Sequence, residues 1–137
     1  MGGRRSRSDS RCAVANELIL IVEDNPKNLK LVRDTLQVKG YQTVEVETGE
    51  DGVRLARERR PALILMDIQL PGISGIEALA RLRADAVTRS IPVVAITASV
   101  MAQDRQKVMA AGFDGFQGKP ISVRELLATI RGILERS

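Results

Sequence analysis

At 137 residues, with 28% charged, 44% hydrophobic and 2% aromatic side chains, the chain has the material for one domain with an aliphatic core and too little for two. Its formal charge of +4 sits mostly in a tail, where Arg4, Arg5, Arg7 and Arg11 against Asp9 leave residues 1–16 at +3 and the rest at +1, so the fold offers no basic surface that argues for nucleic acid. A single cysteine (Cys12) and no histidine exclude an intramolecular disulfide and a zinc cluster, and the apolar run Leu18 to Val22 is far too short to span a bilayer, which together read as a cytoplasmic protein in a reducing compartment.

Residues 1–16, "MGGRRSRSDSRCAVAN", carry no hydrophobic face and are expected to form a disordered basic tail. Met1, Gly2 and Ser6 fit the short pattern for N-terminal myristoylation, but a solvated tail explains them as well. "ELILIV" (17–22) reads as a buried strand. "NPKNLKLVRDTLQVKG" (25–40) reads as an amphipathic helix with Asn25 as N-cap, Pro26 at the first helical position and Gly40 at its end. Leu29, Val32, Leu36 and Lys39 fall on its one stripe. A second strand (41–46) and a second helix (49–60) follow, the helix closed off by Pro61. "ALILMD" (62–67) is the third strand, followed by a loop and a helix over 75–84. "IPVVAIT" (91–97) is the fourth strand, with a helix over 102–112. "GFQGK" (115–119) is a weak fifth strand, and a closing helix (122–134) is capped by Ser122 and buries Leu126, Leu127, Ile130 and Leu134. Strict alternation of five strand and helix pairs argues for an α/β fold, a parallel sheet covered by helices on both faces.

In such a sheet, ligands bind outside the carboxyl ends of the strands. There the sequence places Glu23 and Asp24 after strand one, Asp67 at the end of strand three, Thr97 with Ala98 and Ser99 after strand four, and Lys119 with Pro120 after strand five. Two like charges about 4 Å apart repel by roughly 4 kcal/mol at an effective dielectric near 20, so three converging carboxylates need positive charge beside them. Lys119 supplies one unit, and the all-oxygen set suits Mg²⁺ for the rest. Taken singly, each residue has a plainer reading: a helix cap, a solvated loop acid, a β-branched strand end, a lysine whose stem lies on apolar surface. The pattern over four strand ends is what points to a site.

These residues, with "LMDIQLPGISG" around Asp67, "AITAS" at Thr97 and "GKP" at Lys119, resemble the receiver domain of two-component response regulators over about residues 17–136. The resemblance implies a flavodoxin-like doubly wound (βα)5 fold, with a five-stranded parallel sheet in the order 2-1-3-4-5 and residues 17–137 forming the receiver domain. It implies that Asp67 is the phosphoacceptor, a carboxylate nucleophile taking a phosphoryl group from a phosphohistidine. Mg²⁺ would be held by Asp24, Asp67, Glu23 and the main-chain carbonyl of Gln69. Lys119 would pair with the phosphoryl oxygens, Thr97 and Phe116 would form the switch pair, and the Lys119–Pro120 bond would be cis. It further implies a histidine kinase or histidine phosphotransfer protein as donor, and a downstream protein engaged through the face of helix four, strand five and helix five. No nucleic acid, no membrane and no enzymatic output are expected, and the chain is expected to be a monomer or weak dimer. Glu23 stands where an Asp is commoner in the family, Ala98 is small enough to leave the phosphoryl group accessible, and Gln69 and Glu47 occupy positions that tune dephosphorylation.

The chain stops after its last helix, which resembles stand-alone receivers of the DivK and chemotaxis types, while "KPISVRELLATI" is also in the style of receivers appended to hybrid histidine kinases. A haloacid-dehalogenase-type phosphatase would share the strand-end Asp, Thr, Lys and Mg²⁺ but place a second Asp two residues after the first, where this chain has Gln69. A nucleotide or flavin binder would need a Gly- or Ser/Thr-rich loop after strand one, where "EDNPKN" stands. A nucleic-acid module would rest on the four tail arginines alone.

Overall fold

The computed structural model describes residues 17–97, 102–119 and 121–136. The tail 1–16 with Cys12, the residues Ala98 and Ser99, and Pro120 with its peptide bond lie outside the described residues. The elements run β1 (Leu18–Val22), α1 (Pro26–Val38), β2 (Gln42–Val46), α2 (Gly49–Arg59), β3 (Leu63–Asp67), α3 (Gly75–Ala84), β4 (Val93–Thr97), α4 (Ala102–Ala110), β5 (Gly115–Gly118) and α5 (Val123–Arg136). All strand pairs are parallel, in the order β2-β1-β3-β4-β5, as the resemblance implies.

The strands are apolar along their whole length because each is buried on both sides. Alternate residues enter two cores. Leu20, Val22, Ile64, Met66, Val93 and Ala95 pack with Ala56 of α2, Ala78, Leu79 and Leu82 of α3, and Val108 and Phe113 around α4. Ile19, Ile21, Leu63, Leu65, Val94 and Ile96 pack on the opposite face with Val32 and Leu36 of α1 and Leu126, Ile130 and Ile133 of α5. Helices on both faces leave only the strand ends open, and that is what makes the carboxyl rim the place for chemistry.

Helices α1, α2, α3 and α5 start where a cap residue allows. Asn25 accepts from the amides of Lys27 (2.9 Å) and Asn28 (3.3 Å), with Pro26 next to it. Thr48, Ser74 and Ser122 accept from the amides three residues on, at 3.1, 3.2 and 3.4 Å. Several boundaries differ from the sequence reading by one or two residues, three of them for a visible reason or by extension. β4 begins at Val93 because Pro92 has no amide to give the ladder, although its carbonyl still accepts from Ile64. α5 continues to Arg136. Lys39 is the exposed C-cap of α1 and leaves the apolar stripe to Leu29, Val32 and Leu36.

Candidate functional site

The carboxyl rim is assembled by register. Met66 of β3 pairs with Val22 of β1, and Asp67 pairs with Ile96 of β4, so Glu23, Asp67 and Thr97 leave three adjacent strands at one level. The main chain carries the ladder past the strand ends: Glu23 donates to Val46, Ile68 to Ile96 and Lys119 to Thr97, the last at 2.8 Å. The buried hydrophobic run before Asp67 therefore works as a rigid mount for one carboxylate.

That carboxylate is 2% exposed. Its Oδ1 accepts from the Gln69 main-chain N–H at 3.0 Å and its Oδ2 from the Lys119 ammonium at 2.8 Å. Glu23 is completely buried, and its Oε2 accepts from the Asn25 N–H at 3.1 Å. Its Oε1 lies 3.4 Å from Lys119 Nζ, an ion-pair distance, yet it has no hydrogen-bond partner among the described residues. Asp24 is exposed at the mouth, and one carboxylate oxygen from each of Glu23, Asp24 and Asp67 falls within 4.8 Å of the others.

The electrostatics follow from burial and like charge. Burial is the main force pushing the Glu23 carboxyl up, to about 7; the contact with Asp67 adds to it, while the Asn25 amide and Lys119 oppose it only in part. For Lys119, burial works against the charged form, but pairing with Asp67 and Glu23 outweighs it and holds the ammonium above the usual lysine value. Lys119 is thus a fixed positive charge facing three acids, and the balance remains negative. A fully buried carboxylate oxygen without a donor, grouped with two more carboxylates and, among the described residues, with no cysteine or histidine in the cluster, fits a hard divalent cation with oxygen ligands, Mg²⁺ in particular.

Four of the residues singled out in the sequence, Glu23, Asp24, Asp67 and Lys119, thus come together as one cluster. Gln69 stands beside it through its backbone amide, with its side chain exposed. Thr97, 4% exposed, adjoins it on β4 and is tied to Lys119 through the main chain. Phe116 sits apart, opposite Ala95 in the sheet and packed against the α2–α3–α4 core. Glu47 is exposed at the end of β2. Two contributors escaped the sequence reading. Asn25 was expected only as a helix cap, yet its amide also holds Glu23; the signal was its position two residues after the acid. Gly75 packs directly on the Asp67 backbone, and a glycine opening the helix after the acidic loop was its one sequence mark.

A parallel five-stranded sheet in this order, with an acidic cluster and a lysine on its carboxyl rim, defines a class of signalling domain. Residues 19–131 match the model of the response regulator receiver domain, and the chain belongs to that family. It is 45% identical over 116 residues to the polar-differentiation response regulator DivK of Brucella anthropi, covering 85% of this chain and 94% of that protein, and 44% identical over the same length to DivK of Brucella ovis. Among solved structures it resembles the receiver domain of a sensor histidine kinase of Pseudomonas aeruginosa, which holds a magnesium ion in its active-site cleft, with a TM-score of 0.78 and 36% identity over 88% of this chain and 96% of that one. The receiver domain of a histidine kinase from Syntrophus aciditrophicus gives a TM-score of 0.80 at 31% identity, over 87% and 90% of the two chains. The chain is a receiver domain of two-component signalling with an acidic site compatible with Mg²⁺. Family membership favours the receiver reading over the phosphatase and flavin-binder readings. No described helix is long and apolar enough to cross a membrane.

Proposed function

We propose that the chain is a phosphoacceptor module that takes a phosphoryl group on Asp67 from the phosphohistidine of a histidine kinase or histidine phosphotransfer protein, and signals by a phosphorylation-dependent change in protein contacts. The observation that carries this reading is the Asp67 carboxylate itself: almost buried, held by one backbone amide and one ammonium, and facing two further acids on the neighbouring strand end.

The Gln69 amide keeps Oδ1 oriented, so Oδ2 on the Lys119 side is the attacking oxygen. A new O–P bond forms as the donor's N–P bond breaks, and the electron pair of that bond stays on the departing imidazole, which leaves neutral after protonation. As charge spreads over the equatorial phosphoryl oxygens, Lys119 exchanges its pairing with Oδ2 for pairing with one of them. When bound, Mg²⁺ would supply positive charge that offsets the acids and the incoming phosphoryl group. Glu23, Asp24, Asp67 and the Gln69 carbonyl are the residues that would hold it. The relatively dry floor formed by Glu23 and the strand ends strengthens each of these interactions over what water would allow.

Thr97 and Phe116 act as the switch. The Thr97 hydroxyl turns toward the phosphoryl group, and the Lys119 amide to Thr97 carbonyl bond couples that movement to β5 and Phe116. The output face is α4, β5 and α5, read by a downstream protein. Residues 17–137 form the receiver, and the protein works in the cytoplasm as a monomer or weak dimer without a nucleic-acid partner. Incubation with Mg²⁺ and acetyl phosphate tests the reading. Intact mass should show one added phosphoryl group on the wild type and none on Asp67→Asn; equal labelling of the two proteins would defeat it.

A further inference from the structure

The geometry points to Gly75 as a positioning residue for the phosphorylation site, acting through the loop that joins β3 to α3. This inference rests on the function proposed above and adds to it the element that fixes the loop.

Residues 68–74 leave the end of β3 and return as α3. The loop carries the Gln69 amide that holds Asp67 Oδ1, and the Gln69 carbonyl assigned to the metal. Its two ends are closed on each other by one bond, Gly75 N–H to the Ile68 carbonyl at 2.9 Å, while Ile68 is itself fixed to Ile96 of β4 at 3.0 Å. The first residue of α3 is thereby pressed onto the backbone of the phosphoacceptor. A methyl group at position 75 would overlap the main-chain oxygen of Asp67 and lie 2.9 Å from Ile68 Cα and 3.2 Å from the Asp67 carbonyl carbon. All three are backbone atoms of the strand end, so no side chain can swing aside to make room. Gly75 is buried, and no positive φ is recorded for it, so the demand is for closeness and not for a left-handed conformation.

The loop is held from its other side as well. Gly49, the first residue of α2, faces Ile73, and a Cβ there would come 2.8 Å from Ile73 Cγ1 and 3.2 Å from the Ile73 carbonyl oxygen. Gly72, at φ +79, faces the Glu50 carboxylate. Two helix starts thus grip one loop between them. Adding a methyl at Gly75 must move the loop or the Asp67 backbone by about half an ångström or more, and misplacement by about 1 Å can cost on the order of a hundredfold in rate.

The test measures Mg²⁺ affinity by calorimetry, and the rate of Asp67 phosphorylation by acetyl phosphate, for wild type, Gly75→Ala and Leu36→Ala. Leu36→Ala opens the opposite core, so it loses stability without touching the loop. The expected result is about a tenfold or greater weakening of Mg²⁺ binding and a comparable fall in rate for Gly75→Ala, with Leu36→Ala within twofold of wild type on both at a temperature where it is folded. Gly75→Ala within twofold of wild type would overturn the inference. So would a matching loss in Leu36→Ala, because the effect would then be one of stability. If Gly75→Ala does not fold, Gly49→Ala is read in its place: about a threefold weakening of Mg²⁺ binding supports the inference and an unchanged affinity overturns it. Failure of the wild type itself to bind Mg²⁺ and gain a phosphoryl group would bring down the proposed function and this inference with it, and is distinguishable because it needs no variant.

Discussion

With divalent cations stripped, Glu23 should lower the stability of this protein as the pH rises from about 4.5 to 7, the reverse of what paired surface carboxylates produce. The perturbed group is Glu23, completely buried and pushed up to about 7 from an ordinary value of 4.5. Between those two values the folded chain holds a proton on Glu23 that the unfolded chain has released. The native state binds more protons there, so stability declines with rising pH. Below 4.5 both states are protonated and the group contributes no slope; above 7 both are ionised and the loss is complete. At about 1.4 kcal/mol per unit, the interval corresponds to a loss of up to roughly 3 kcal/mol, less to the extent that Asp67 shares the proton. Glu23→Gln keeps the shape and removes the titration. Urea unfolding in EDTA from pH 4.5 to 8, followed by circular dichroism because the chain has no tryptophan, gives the stability difference between the two proteins at each pH. That difference should move in favour of Glu23→Gln by about 2 to 3 kcal/mol across the window, and saturating Mg²⁺ should offset the wild-type decline by binding the folded state alone. A difference that stays constant with pH would refute the reasoning.

Two predictions concern the scaffold. Arg60 closes α2 at φ 46 in the left-handed region, held there by its N–H bond to Ala56, with Pro61 following; Arg60→Gly relieves that conformation and should raise stability by about 1 kcal/mol in urea titrations. Arg83 ties α3 to the lower end of the sheet, donating to the Ile91 carbonyl at 2.7 Å, to Arg89 and Gly112, and to Asp114 at 2.8 Å, while Asp114 accepts from the Val93 amide. Arg83→Ala should cost about 1 to 3 kcal/mol by leaving partly buried acceptors unpaired, with the labelling of Asp67 unchanged, as mass spectrometry on the folded variant would register.

The alternation of strands and helices was legible in the sequence because each strand is a short apolar run and each helix carries its own start and stop, such as Asn25–Pro26 and Ser122. The rim residues were legible because strand ends can be read off those runs. The strand order was not: nothing in an apolar run says which neighbour it pairs with, and 2-1-3-4-5 came from the resemblance. The elevation of Glu23 was hidden for a related reason, since a strand-end acid in one dimension carries no information about whether water reaches it. The Arg83 bridge to Asp114 spans 31 residues, and the contact of Gly75 with the Asp67 carbonyl depends on where a loop returns. Such features are fixed by tertiary approach, which local patterns do not encode. β4 shortened at Pro92 through a donor that proline lacks, a boundary the apolar run alone concealed.

The central claim is that the side chain of Asp67 becomes the acyl phosphate. The most direct measurement is to phosphorylate the protein with acetyl phosphate and Mg²⁺, reduce the acyl phosphate with borohydride, and sequence the peptides by mass spectrometry. Conversion of residue 67 to homoserine, dependent on both Mg²⁺ and the phosphodonor, is the predicted result. Homoserine at Asp24 or another aspartate, 5-hydroxynorvaline at Glu23 or another glutamate, or neither under conditions where the intact protein carries phosphate, would contradict it.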